Sequence, residues 1–160
     1  MKKIFFTVAF LATAFVQQSI AQDSTSQPPL SQLLQSYYAI KNALVAGNAV
    51  SASTNADRFV TSANGIDSKA IPAGSITALV KDASQISATK DIKHQREHFA
   101  NFSTNMFALA KAVKLTSDPI YEAYCPMTKA NWLSSDKAIK NPYFGSSMLS
   151  CGKVVETINQ

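Results

Sequence analysis

The chain has 160 residues, and its 15 Lys and Arg exceed its 10 Asp and Glu to give a formal net charge of +5. The basic residues are scattered and only two are arginine, Arg58 and Arg96, whereas nucleic-acid-binding domains cluster Lys and Arg on one face. The composition therefore argues against nucleic acid as a partner.

The N-terminus has the pattern of a secretory signal peptide. A basic "MKK" precedes the apolar run "IFFTVAFLATAFV" and a small-residue site that ends at Ala21. The run is shorter than the roughly 20 apolar residues that a membrane-spanning helix needs. We predict a signal peptide over residues 1–21 and a periplasmic or secreted chain with no membrane span after cleavage.

Beyond the predicted cleavage site, residues 22–29 ("QDSTSQPP") are polar and end in proline, which predicts a flexible arm. Residues 30–160 are long enough to bury one core, so we expect a single domain. Removing Lys2 and Lys3 leaves 13 basic against 10 acidic side chains, a net charge of +3.

Apolar residues recur at helical spacing in four consecutive stretches. Gly47, the Asn64-Gly65 pair and the Ser87 to Lys90 segment interrupt the pattern and separate the stretches. The first predicted helix begins at Leu30 and stops at Gly47, and the second carries its apolar stripe from Ala49 to Ala63. The third and fourth run from Ile76 to Ile86 and from Ile92 to Val113.

Four amphipathic helices with short connections predict a mostly α fold, an antiparallel four-helix bundle in which each helix buries its apolar stripe. Past Thr116 the helical period fades, and Pro, Gly, aromatic and β-branched residues become frequent. We expect an irregular C-terminal segment with at most one small β-hairpin.

Both cysteines of the chain lie in this C-terminal segment, and each has a methionine nearby. Cys125 stands two residues before Met127, and Met148 stands three residues before Cys151. Thiolate and thioether are soft ligands that favour ions such as Cu(I). An exported chain with two cysteines could instead close a Cys125–Cys151 disulfide, with the methionines filling core gaps.

A second motif, "HQREH" from His94 to His98, fits the H-x-x-E-H pattern of one class of zinc peptidase. Such an enzyme needs a third protein ligand and a substrate cleft, for which a small helical bundle leaves little room. We interpret the motif as a solvated helix face, from which His98 could supplement the sulfur ligands. The chain also has no G-x-S-x-G and no phosphate-binding glycine loop, and we expect no enzyme activity.

Several short motifs resemble those of the DUF3347 family. In the C-terminal segment they are "YCPM", "WLS", "NPYFG" and "MLSCG"; nearer the start they are "YYAIKNALVAGN" and "DIKHQREHFANFS". The resemblance extends from about Tyr37 to Ile158. DUF3347 domains are exported and also occur fused to adaptor subunits of heavy-metal efflux pumps.

The resemblance implies a periplasmic module that binds a soft metal, with Cu(I) as the expected ion and a metal-efflux adaptor protein as a candidate partner. The family's cysteine and methionine positions correspond to Cys125, Met127, Met148 and Cys151, and His98 is the auxiliary candidate. The alternative function is a non-catalytic interaction domain in which a Cys125–Cys151 disulfide fastens the C-terminal segment.

Overall fold

The computed structural model describes residues 29–67, 69 and 71–159. The predicted signal peptide and residues 22–28 of the predicted arm lie outside this range. Pro29, at which we placed the end of the arm, is the first residue of helix α1. Proline is favoured in the first turn of a helix because its missing N–H would have no intrahelical partner there.

The described part of the chain is mostly helical, as predicted, and its four helices follow the periodic stretches of the sequence. Asn48 accepts a hydrogen bond from Ser51 N at 2.9 Å and so caps α2, and the Asp91 carboxylate caps α4 through Lys93 N and His94 N. The helices are α1 (Pro29–Val45), α2 (Ala49–Asn64), α3 (Ser75–Ser87) and α4 (Ile92–Ala112).

Each helix packs on the next along the chain, and α4 also contacts α1 and α2. Stacked and edge-on aromatic rings fill the space between them: Tyr37 lies 5.4 Å from both Phe99 and Phe102, and Phe59 meets Phe102 edge-on at 4.7 Å between centroids. These four side chains are fully buried. No described helix has the length and apolar character that crossing a membrane requires.

The C-terminal segment is more regular than we expected, because it forms a three-stranded antiparallel sheet of order β2-β1-β3. The strands are β1 (Ile120–Cys125), β2 (Ala130–Ser134) and β3 (Lys153–Ile158). β1 and β2 form the one hairpin that we expected, and β3 is a third strand that we did not expect. An irregularity between Glu122 and Ala123 shifts the β1–β3 register, so the alternation of buried and exposed residues that identifies a strand is broken in β1.

Buried hydrogen bonds attach the sheet to the helices. The Tyr37 hydroxyl on α1 accepts a hydrogen bond from Leu133 N of β2 at 2.9 Å and also bonds to Ser103 on α4. At the opposite edge of the sheet Lys111 of α4 forms an ion pair with Glu156 of β3. The position of the strands, and of the cysteines at their ends, is therefore fixed relative to α1 and α4.

Candidate metal centre

The β1–β3 pairing brings the two cysteines together. Cys125 is the last residue of β1, and Cys151 stands two residues before β3, in which Lys153 pairs with Tyr124. Both thiols are free, and their sulfur atoms lie 3.8 Å apart. Two residues that are 26 positions apart in sequence thus form one dithiol site, which we call the Cys125–Cys151 pair.

The turn between β1 and β2 surrounds the sulfur of Cys125 with hydrogen-bond donors. Cys125 pairs with Ala130 across the hairpin, and Lys129 adopts a positive φ of 54° that lets the chain reverse between them. The sulfur receives hydrogen bonds from the side chain and backbone of Thr128 and from the backbone of Met127. A turn of this kind favours negative charge on the atom that it encloses.

The two thiols differ in acidity. Burial raises the pKa of the Cys125 thiol, but hydrogen bonds from Thr128, Asn141 and Met127 outweigh it and bring the pKa down from 9.0 to about 7. Burial and the neighbouring Cys125 sulfur raise the pKa of the Cys151 thiol. Cys125 therefore ionises first and Cys151 keeps its proton, which it can share with the Cys125 thiolate.

Asn141 organises the loop that carries Cys151, a role that sequence analysis missed. Its fully buried side chain donates to the Cys151 carbonyl at 2.7 Å, accepts from Tyr143 N at 2.8 Å and from Phe144 N at 3.3 Å, and hydrogen-bonds to Cys125. The available signal was the Asn141-Pro142 dipeptide, which marks a turn whose Asn side chain bonds to nearby backbone.

Trp132 packs against the backbone on the other side of Cys151. The indole is buried, and a Cβ at Gly152 would lie 2.8 Å from its Cη2 atom and 2.9 Å from the Tyr124 carbonyl oxygen. Gly152 also has a φ of +144°, which side-chain-bearing residues rarely adopt. Only glycine thus allows the indole and β1 to approach the chain so closely beside Cys151.

The two methionines that are close in sequence to the cysteines have exposed side chains. Met127 in the β1–β2 turn is 64% exposed, and Met148, which ends a 3₁₀ turn over Gly145–Met148, is 37% exposed. The Met148 carbonyl accepts a hydrogen bond from Cys151 N at 3.1 Å. The structure thus brings the two thiols together and leaves the two thioethers exposed next to them in sequence.

The histidines of the "HQREH" motif do not join the cysteines. His98 is half-buried on α4, and His94 is exposed and lies 3.8 Å from the Asp91 carboxylate. Within residues 29–67, 69 and 71–159, no three or more His, Cys, Asp and Glu side chains are grouped so that they could hold a metal. The structure does not place His98 in a common cluster with Cys125 and Cys151.

Comparison with known proteins identifies one family. The model of DUF3347, described as a protein of unknown function, matches residues 33–118, more than half of the chain. The chain belongs to the DUF3347 family. The matched range begins within α1, covers the rest of the four helices and ends before Cys125, so the DUF3347 match does not include the dithiol site. No curated protein and no solved structure matches the chain significantly.

Proposed function

We propose that this DUF3347 protein binds one soft metal ion, preferentially Cu(I), through the thiolates of Cys125 and Cys151. It would buffer the ion or pass it on, with a metal-efflux adaptor as the candidate recipient. The observation that carries the proposal is the 3.8 Å separation of two free sulfur atoms, one of which lies in surroundings that favour the thiolate. The thiolate is the form of cysteine that binds metals.

The distance between the two sulfur atoms is suitable for both to bind one metal ion. With metal–sulfur distances of about 2.3 Å, as in thiolate sites, sulfur atoms 3.8 Å apart subtend an angle of about 110° at the ion. Such an angle leaves one side of the ion open for further ligands. The exposed thioethers of Met127 and Met148 would supply them after side-chain rotation, and His98 would require a larger movement.

The unequal burial of the two cysteines suggests how an ion would enter and leave. Cys125 is fully buried, whereas Cys151 is partly exposed. An incoming ion would contact Cys151 first and then gain the Cys125 thiolate. Exchange through Cys151 and neutral thioethers suits a carrier that releases its ion, because a site of four thiolates would hold a soft metal more tightly.

The same sulfur proximity supports a second candidate function. The sulfurs would need to approach by about 1.8 Å to reach the disulfide bond length of about 2.05 Å. Closing a loop of this size would stabilise the fold by about 3 kcal/mol. The protein would then be a non-catalytic interaction domain, in which the disulfide fastens β3 and the preceding loop to β1.

The proposal also includes predictions made from the sequence alone. These are export to the periplasm or beyond, the absence of enzyme activity, and an antiparallel arrangement of the four helices. The contacts of each helix with the next support the last of them.

Anaerobic titration of Cu(I) against a competing chelator tests the metal function. We expect the reduced protein to bind one ion per chain and the Cys125→Ser, Cys151→Ser double variant to bind none at the same chelator strength. Met127→Leu with Met148→Leu is the companion variant, which should weaken binding without abolishing it. Equal binding by the wild type and the double cysteine variant would refute the assignment.

A thiol count on protein purified without reductant tests the second candidate. If both sulfurs are oxidised and resist physiological thiol reductants, the cysteines form a structural disulfide and the metal function fails. If two free thiols are counted, the disulfide function fails.

A further inference from the structure

A cleft of about 430 Å³ lies between α4 and the C-terminal segment, beside the Cys125–Cys151 pair but distinct from it. One wall is the N-terminal half of α4, where Lys93, Arg96, Glu97 and Ala100 line the cleft. These residues follow the i, i+3, i+4, i+7 spacing that places side chains on one helix face. The helix therefore presents a wall with a charged end and an apolar end.

The opposite wall is formed by the β1–β2 hairpin and the loop after Asn141. Tyr143 and Phe144 supply aromatic surface, and Thr128 lies at the hairpin turn. Tyr143 is nearly buried and its hydroxyl donates to the Asn131 carbonyl, while Phe144 is half-buried. The aromatic wall is therefore held in place and remains accessible at Phe144.

The charges around the cleft do not balance. Lys93 and Arg96 contribute two positive charges and Glu97 one negative charge, and neither cation forms an ion pair within the part of the chain that the structure describes. The half-buried Arg96 donates from Nη2 to the Leu44 carbonyl at 2.9 Å, and its buried Nε has no partner among the described residues.

A half-buried guanidinium without an anion is unfavourable, because its lost hydration is only partly replaced by one backbone carbonyl. The Leu44 contact explains why Arg96 is tied to the end of α1. It does not supply a negative charge. An anion in the cleft would contribute that charge, and Lys93 would add a second, exposed cation at the rim.

We propose that this cleft binds a small molecule that carries one carboxylate on an apolar, preferably aromatic, body. The carboxylate would lie near Lys93 and Arg96, and the apolar body would pack against Ala100 and Phe144. The volume lies within the range of small-molecule sites, whose walls are mostly apolar with a few convergent polar groups. This assignment does not depend on metal binding by the cysteines.

Thr128 connects the two sites, because it lines the cleft and also hydrogen-bonds to Cys125. A ligand that moved Thr128 would change the surroundings of the Cys125 sulfur. Occupancy of the cleft should therefore be detectable at the thiol as well as at the cleft wall.

The test is a titration of the reduced, metal-free protein with benzoate, followed by two-dimensional amide NMR. Benzyl alcohol, of similar size but uncharged, is the matched control ligand. We expect saturable benzoate shifts centred on Thr128, Ala130 and Phe144, and much weaker shifts with benzyl alcohol.

The variants test the charge argument. Lys93→Gln should weaken benzoate binding about threefold, as expected for loss of one solvent-exposed charge. Arg58→Gln, which removes an exposed cation from α2, should leave binding unchanged. Absence of saturable shifts, equal shifts with benzyl alcohol, or unaltered affinity in Lys93→Gln would each overturn the proposal. The same spectra show whether each variant is folded.

Discussion

The side-chain amide of Asn141 donates a hydrogen bond to the backbone carbonyl of Cys151 at 2.7 Å. The same side chain accepts hydrogen bonds from the backbone of Tyr143 and Phe144 and hydrogen-bonds to Cys125. One buried residue therefore contacts both halves of the dithiol site.

Asn141→Ala should lower the free energy of unfolding by about 2–3 kcal/mol, because it leaves buried backbone groups without partners. It should also raise the pKa of Cys125, since one hydrogen bond to the thiolate is lost. Denaturant unfolding and the pH dependence of thiolate ultraviolet absorbance, recorded in a Cys151→Ser background, measure the two effects. Asn42→Ala, at an exposed position on α1, should change neither. An unchanged thiol titration would show that Asn141 does not act on Cys125.

Ionisation of Cys125 should make stability depend on pH. The folded pKa of about 7 lies below the ordinary value of 9.0, so the folded state loses its proton first. The unfolded state then binds more protons between pH 7 and 9, so the free energy of unfolding rises with pH across that window. The contribution of Cys125 is complete above pH 9 and absent below pH 7. Cys125→Ser should flatten this part of the curve in urea unfolding series. An identical curve in the variant would contradict the prediction.

Lys41 on α1 should destabilise the fold at neutral pH. Burial, with a smaller contribution from Lys140, lowers its pKa to about 8, and its Nζ has Ser134 Oγ at 3.5 Å as its hydrogen-bond partner. Because the folded pKa lies below the ordinary 10.5, protonating the buried amine costs stability below pH 8, and the cost disappears toward pH 10.5.

Lys41→Met should therefore raise the free energy of unfolding by about 2 kcal/mol at pH 7, with a smaller gain at pH 10. Thermal unfolding at the two pH values measures the difference. The exposed Lys81→Met is the matched control and should show no such pH dependence. The Lys41 ammonium also lies 5.8 Å from the centroid of the Tyr38 ring. A less stable Lys41→Met protein at pH 7 would indicate that the contacts of the ammonium with Ser134 and with this ring outweigh the cost of its burial.

Gln95→Leu should be among the more destabilising single substitutions in the helical part. The buried Nε2 of Gln95 lies within hydrogen-bonding distance of three carbonyls, those of Ala49, Ile86 and Thr89, at 2.9, 3.3 and 2.7 Å. Leucine fills a similar volume but leaves these carbonyls without a donor, at an expected cost of about 2–4 kcal/mol. Chemical denaturation measures the loss in free energy of unfolding, and Thr104→Ala, at an exposed position on α4, is the control. A smaller loss in Gln95→Leu than in this control would refute the stabilising role of Gln95.

The helices could be predicted closely because each carries a long apolar stripe of one period and ends at a residue that breaks it, such as Gly47 or the Asn64-Gly65 pair. The three-stranded sheet could not be predicted from the sequence. Its strands have only five or six residues, and the irregularity after Glu122 disrupts the alternation in β1. Local pattern carries too little information in segments of this length.

The candidate site, like the fold, could be predicted only in part. The chemistry of the two cysteines indicated a common site, and their sulfur atoms do lie together. Their contact depends on the pairing of β1 with β3, which the spacing of the residues in sequence does not encode. Asn141 was missed because a buried asparagine is recognisable only once its partners are known. The exposure of Met127 and Met148 likewise follows from turns whose shape the sequence does not specify.

The dithiol site depends on strand β3. β3 lies at one edge of the described sheet and pairs with β1, and Cys151 lies beside Cys125 just before that pairing begins. A chain clipped before residue 153 lacks β3, so only the contacts of Asn141 and of the loop before Cys151 still hold the two thiols near each other. Cleavage just ahead of β3 would thus loosen the centre while sparing the four helices, which makes the site more sensitive to proteolysis than the fold that carries it.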